Sequence, residues 1–497
     1  MERQWKAVML VVGALVTAAG VLVTTPAAAA AAEGPTRVSS DPYTNPTSQH
    51  RTQVEPDSFS FGRTVVSAFQ SGRFIDGGAS NVGWSTSRDA GSSWTDGFLP
   101  GTTTQATPPG PYDRVSDPSV AYDAKHHTWL ISTVALNPAG GPRGVAVVTN
   151  RSTDGARTFS APTTVRQATG TEDLDKNWTV CDNSPSSRFY GHCYTQWDDF
   201  GHVNLFQMST STDGGQTWQA PTTSPDNPCV IGGQPVVQPN GTVIVPISDC
   251  FEGTLLSIRS TDGGKSWSRV RFAAQTLSSL VAGKLRAGPL VSAEIDRNGK
   301  VYVVWQDCRF EAPNCAVNDI VMTTSSDGIT WSPVTRIPAD PIGSGVDHFI
   351  PGLAVDKTTG GTQARLALTY YYYPDATCTP ATCQLDVGFV SSTNGGKSWS
   401  ANQRLAGPMK VTWLADTTQG FMVGDYISTS IAGRGHDATS VFALAQAPTG
   451  TLFREAIFAS SGSLAKLTGG SLQPDTDTGV AVSPKAAALA SQPLLSR

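Results

Sequence analysis

The chain has 497 residues and a formal net charge of −5, with 15% charged residues, 49 Gly, 33 Pro and 12 Trp. A weakly acidic balance argues against a nucleic-acid binder, which would carry a basic surface. The apolar content excludes a disordered chain, and the abundance of turn formers excludes a helical bundle.

In chain order, the first feature is a leader. Arg3 and Lys6 give a basic start, residues 8–23 form a short apolar core, and residues 26–32 are small, with several A-x-A cleavage options. This predicts a secretory signal peptide over residues 1–32. Its removal takes away Glu2, Arg3 and Lys6, which shifts the charge from −5 to −6. No later segment has the roughly 18 apolar residues that span a bilayer. The expected product is secreted, extracellular and soluble. All eight cysteines come after the leader, and an even count in an oxidising compartment predicts disulfides. Neighbour pairing is the simplest choice: Cys181–Cys193, Cys229–Cys250, Cys308–Cys315 and Cys378–Cys383.

One short pattern then returns six times: Ser-x-Asp-x-Gly-x-Ser/Thr-Trp. The copies are SRDAGSSW from Ser87, STDGARTF from Ser152, STDGGQTW from Ser211, STDGGKSW from Ser260, SSDGITW from Ser325 and STNGGKSW from Ser392. The second carries Ala156 and Phe159 for Gly and Trp, and the sixth carries Asn394 for Asp. From Asp89 the steps are 65, 59, 49, 65 and 67 residues, about the size of a four-stranded antiparallel sheet. Asp or Asn bonds backbone amides a few residues on, Gly supplies positive φ, and the Trp buries a face between neighbouring sheets. None of this needs catalysis. These motifs resemble the Asp boxes, or BNR repeats, of the sialidase-like propeller superfamily, over most of residues 50–460. The resemblance implies an all-β propeller of four-stranded blades.

A second repeat lies upstream of each box: a polar residue, an apolar stretch, a turn and another apolar strand. Its units begin near Glu55-Pro56, Asp117-Pro118, Asp175-Lys176, Gly233-Gln234-Pro235, Ala287-Gly288-Pro289, Asp347-His348 and Gly424-Asp425-Tyr426. Seven units against six boxes favour seven blades, with segment 36–50 as the outer strand of the last; six blades is the alternative. Residues 33–462 then form one propeller domain, and 463–497 read as a disordered tail.

In a propeller, inner-strand starts and the loops after second strands share one face, opposite the boxes. The inner-strand starts contribute Glu55, Asp117, Asp175, Lys176, Asp347, His348, Asp425 and Tyr426. The second-strand ends contribute Arg73, Trp197, Asp198, Asp199, Asp249, Asp307, Arg309, Tyr372, Tyr373 and Asp375. Carboxylates, aromatics and arginine forks suit sugar chemistry. Candidate catalytic residues are Asp117, Asp175, Asp425 and Tyr426, with Asp117 as acid/base and Tyr426 as the tyrosine. Candidate substrate-binding residues are Arg73, Asp307, Arg309, His348 and Trp197. No cofactor is expected and no metal-ligand motif stands out, although the acidic ring would suit a structural Ca²⁺.

The resemblance to sialidases implies three arginines on a substrate carboxylate, a tyrosine nucleophile helped by a glutamate, and an aspartate acid/base. Arg73 and Arg309, with Arg114 or Arg188, are the arginines available. The family's N-terminal Arg-Ile-Pro motif is absent from the first unit; Arg336-Ile337-Pro338 spells it after the fifth box. Two readings are open: an exo-acting glycoside hydrolase on a glycan, sialic acid-containing glycans included, or a carbohydrate- or protein-binding propeller without turnover. Either acts as a monomer on a glycan or glycoconjugate, with no nucleic acid and no membrane span.

Overall fold

The computed structural model describes Met1 and residues 34–138, 141–311, 313–433, 437–460 and 465–477. The leader expected over residues 1–32 lies outside the described residues, apart from Met1. The chain divides into two compact units, Met1–Ala32 and Glu33–Arg497, and every described strand belongs to the second.

The described residues are almost wholly strand and turn, in a β-propeller arrangement of antiparallel meanders. Alternating, β-branched strands with Gly-rich turns fold this way because each sheet buries both faces against its neighbours. The strand pairing departs from the expected count. Five sheets of three to five strands stand separately, not seven or six. The first two units instead share an eight-stranded sheet. Within it, the meander beginning at strand Gln53–Phe61 meets the one beginning at Arg114–Asp123 through a single pair, Ala79 with Val115. A two-stranded hairpin, Ala415–Thr417 and Gly420–Met422, stands apart.

The last sheet runs Ser428–Ile431, Ala438–Ala445, Glu455–Ala459 and then Thr36–Arg37. The N-terminal strand thus supplies the outer edge of the C-terminal sheet, with Thr36 opposite Ala459. Part of the segment expected to be disordered is built in as well. Asp475–Thr476 pairs with Thr335–Arg336, and Leu472 bridges Trp399.

Five boxes close the turn between a third and a fourth strand, and the third box follows Leu205–Ser211, the last strand of a three-stranded sheet. In the third box, Asp213 Oδ1 accepts the amides of Gln216 and Thr217, both at 2.9 Å, and Oδ2 accepts the Thr217 hydroxyl at 2.6 Å. Ser211 Oγ donates to Asp213 and accepts the Gly215 amide at 2.9 Å. Gly215 has φ +75°, and a Cβ there would lie 2.7 Å from Leu130 Cδ2. Asn394 keeps the pattern by accepting from the Ser398 amide at 2.9 Å while its own amide donates to the Ser398 hydroxyl. The box tryptophans reach the preceding repeat: Trp218 Nε1 donates to Thr149 Oγ1 at 3.2 Å and Trp267 Nε1 to Thr222 Oγ1 at 2.9 Å. All four disulfides pair as neighbours, and no helix among the described residues is long and apolar enough to cross a membrane.

The box carboxylates carry a pH signature. The Ser93 hydroxyl, with the Ser93 amide and the Ser87 hydroxyl, holds Asp89 at about 2, and Asp154 sits at about 2 as well. Their contribution is complete above the ordinary value of 3.8 and is lost as pH falls through about 2. Thermal unfolding should therefore show falling stability across that window. At pH 7, Asp213→Ala should cost about 1 kcal/mol, and Asp213→Asn less, because Asn394 already serves the sixth box.

Candidate functional site

Three inner strands open with the same backbone device. Glu55, Asp117 and Lys176 adopt left-handed φ of 59°, 50° and 47°. At each one the strand register breaks, between Val54 and Asp57, Ser116 and Ser119, and Asp175 and Trp178. A non-glycine residue held at positive φ stores roughly 1–3 kcal/mol. These bulges direct three charged side chains toward a common cluster.

The cluster is a network of ion pairs. Lys176 Nζ contacts Asp117 Oδ1 at 3.3 Å and also bonds Asp425 Oδ2. Arg286 grips the same Asp425 with two nitrogens, Nε at 2.6 Å from Oδ1. The third Arg286 side-chain nitrogen donates to Gln419, at the tip of the two-stranded hairpin, and the Arg286 amide donates to Phe421 O at 2.8 Å. Glu55 accepts from Gln70 Nε2 and from the Asp425 amide, the latter at 3.1 Å. Arg73 donates to Gln70 Oε1 at 3.1 Å and to Gly78 O at 2.9 Å. The side chains of Asp117, Lys176, Arg286 and Asp425 retain 4–9% of their exposure.

Burial and charge separate the carboxyls. Burial works against Asp425, but Arg286 and Lys176 hold it far below the usual range. Burial also works against the Lys176 ammonium, yet Asp117, Asp425 and Glu55 carry it well above the ordinary lysine value. Glu55 is pushed up to about 7 by burial and by the Asp117 charge. Arg73 is pulled down to about 10 by burial, with Arg286 adding. Glu252 belongs with this group. It is pushed to about 7 by burial and by the charge of Asp425. It sits at φ 55° in a turn where Asp249 Oδ1 accepts the Phe251 and Gly253 amides, two residues after Cys250 of the Cys229–Cys250 bridge. Phe251 beside it is 67% exposed.

Of the residues singled out in the sequence, Asp117, Asp425, Tyr426 and Arg73 come together here. The Tyr426 hydroxyl donates to Pro118 O at 2.9 Å, its ring packs edge-on against Trp178, and burial with the Glu55 charge raises its pKa well above the ordinary value. That environment opposes a phenolate. Asp175 pairs in register with Asp198 on the next strand. The other candidates have different partners. Asp307 and Arg309 pair with each other at 2.8 Å, and Arg309 reaches Asp477 at 3.0 Å. Trp197 is 1% exposed in an apolar cluster with Val134 and Leu174. His348 packs on Tyr370 and Tyr372 and is pulled to about 4 by burial. Arg114 pairs with Asp76 at 2.6 Å, and Arg188 donates to Thr261 O. Arg73, Arg114 and Arg309 share no partner.

Arg286 and Glu252 are the residues that sequence reasoning missed. Arg286 stands one position before the expected strand start at Ala287, and Glu252 comes just after a predicted disulfide cysteine; both signals are present in the sequence but neither ranks a residue as functional. Below the cluster, beyond Trp178, a cavity of about 680 Å³ is lined by Asp57, Phe59, Glu294, Lys357 and Ser428.

Two measurements probe the cluster. Arg286→Met leaves Asp425 with a single cation and should cost about 3 kcal/mol, read by urea unfolding at pH 7. Between pH 4.5 and about 7 the folded chain keeps a proton on Glu55 that the unfolded chain releases, so Glu55 makes stability fall as pH rises through that window. Glu55→Gln should flatten that slope.

The BNR repeat-like domain family matches residues 189–350. No curated protein matches the chain. Among solved structures, the chain is similar to a protein of unknown function from Dyadobacter fermentans, at 14% identity and TM-score 0.47, covering 73% of this chain and 99% of that one. It is similar to the NanB sialidase of Streptococcus pneumoniae at 13% identity and TM-score 0.42, covering 87% and 71%. It is also similar to an alpha-L-arabinofuranosidase of Fusarium graminearum at 15% identity and TM-score 0.43, covering 70% and 92%. Residues 189–350 thus match the BNR repeat-like domain family, and six Asp-box motifs sit on the turns of a β-propeller arrangement.

Proposed function

We propose that the protein is a secreted, exo-acting glycoside hydrolase that takes a terminal sugar at the mouth above the ion-pair cluster. The observation that carries this reading is the convergence of Asp117 and Asp425 on one ammonium, with Glu252 close enough for the charge of Asp425 to reach it. Asp425 is held ionised by Arg286 and Lys176, while Glu252, within reach of its charge, is held near 7. One carboxyl kept protonated beside one kept ionised is the arrangement that glycosidic cleavage needs. Glu252 gives its proton to the leaving oxygen as the glycosidic C–O bond breaks, and water adds to the anomeric carbon and returns a proton to Glu252. Asp117 and Asp425 touch one ammonium, which places their oxygens within two hydrogen-bond lengths, roughly 6 Å. They stabilise the positive charge that develops on the sugar ring. Phe251 offers an exposed face for a pyranose. Arg73 and Arg286 supply cationic donors for an acidic sugar, sialic acid among them. Four disulfides fit an extracellular protein, and the chain acts as a monomer on glycans.

A binding propeller without turnover is the second reading. Two observations favour it: the cluster's charges are mutually satisfied, and the Tyr426 hydroxyl is committed to Pro118 O. A panel of fluorogenic glycosides, sialosides included, separates the two. The hydrolase reading expects turnover of at least one, with activity falling above about pH 7 as Glu252 ionises. Glu252→Gln should then lower kcat about 10²–10⁴-fold with KM little changed. Absence of turnover across the panel, with retained binding on a glycan array, establishes the second reading instead.

A further inference from the structure

A second charged cluster lies apart from the ion pairs around Lys176. Asp319 opens the strand Asp319–Ser325, Asp340 comes after the short strand Thr335–Arg336, and His348 lies at the start of Asp347–Val355. One ligand atom from each lies within 4.8 Å of the other two. His348 is 1% exposed and Asp319 2%.

The orientation of each group is set by an outside partner. Asn318 O lies 3.3 Å from His348 Nδ1. That contact assigns the proton to Nδ1 and leaves a lone pair on Nε2. Arg336 holds Asp319 Oδ1 and Asp340 Oδ1, both at 2.7 Å, and Ser344 donates to Asp340 Oδ2. Among the described residues, His348 Nε2 and Asp319 Oδ2 are buried without a hydrogen-bond partner, and Nε2 stands 3.8 Å from Asp340 Oδ1. Two buried acceptors left without a donor, beside carboxylate oxygens that Arg336 and Ser344 already hold, are costly. A cation resolves that cost.

We propose that Asp319, Asp340 and His348 bind one divalent transition-metal ion of the Zn²⁺ type. A ring nitrogen with two carboxylates favours such an ion over Ca²⁺ or Mg²⁺, which take oxygen alone. The backbone carbonyl on Nδ1 and the arginine and serine on the carboxylates are the outer partners that metal ligands carry. One positive charge, Arg336, stands against Asp319, Asp340 and Asp475, so the site keeps a net negative charge for the ion. Asp340 keeps 16% of its side-chain exposure, which gives an entry path. The ion joins the start of Asp347–Val355 to the strand Asp319–Ser325 and to Asp340.

The test uses the purified chain, stripped with chelator and titrated with Zn²⁺ by calorimetry and with Co²⁺ by visible absorption. The expected result is one saturable equivalent that raises the thermal midpoint. His348→Gln, Asp319→Asn and the more exposed Asp340→Asn should each weaken binding at least ~10-fold. His126→Gln and His202→Gln should leave it unchanged, although each of these histidines pairs with an aspartate, Asp123 and Asp199. No saturable binding by the wild type overturns the proposal. So does binding that survives all three ligand variants, or binding that is lost in His126→Gln or His202→Gln. None of these outcomes depends on glycoside turnover.

Discussion

The Lys176 ammonium between Asp117 and Asp425 is the interaction on which the centre of this molecule depends. Its three members come from separate inner segments. Arg286 adds a fourth segment and Glu55 a fifth, through the Asp425 amide. Each charge is nearly buried, and each is tolerable there only because another segment supplies its counterion. Burying charge is therefore what ties the inner ends of the meanders to one another. The left-handed residues Glu55, Asp117 and Lys176 are the local cost of aiming those side chains at one place.

The two faces divide the work. On one, repeated Asp-box turns satisfy their own amides locally, and the box tryptophans fill the gaps between repeats. These turns use short-range hydrogen bonds and can be copied with small changes, as Ala156 and Asn394 show. On the other face the loops differ from repeat to repeat. The Cys229–Cys250 bridge stiffens the turn that carries Glu252, and the hairpin ending in Met422 steadies Arg286 through Gln419. Variable loops on a constant scaffold are the usual seat of a ligand site. The chemistry gathers where the repeats stop being alike.

Much of this can be read from residue order. The six boxes, the neighbour pairing of all four disulfides and the inner-strand position of Asp117 depend on contacts local in sequence or repeated in phase. Segment 36–50 is expected at the edge of the last repeat, and Thr36–Arg37 lies there. The separate-blade count fails because a single backbone pair, Ala79 with Val115, joins two meanders, and no side-chain pattern encodes such a pair. The same limit applies to Asp307, Arg309 and His348. Their positions at strand ends are regular, but their partners come from loops and from the C-terminal strand.

The sequence alone determined the repeating unit, because a turn closed by its own Asp, Ser and Gly needs no distant partner. It also placed Asp117 and Lys176 at the starts of inner strands, because the repeat brings those positions back in phase. The tertiary structure decided which carboxyl is ionised and which keeps a proton. Asp425 meets Arg286 and Lys176, whereas Glu55 and Glu252 meet burial and like charge. A protonation state depends on dielectric and on counterions brought from across the chain, and neither exists until the meanders have packed.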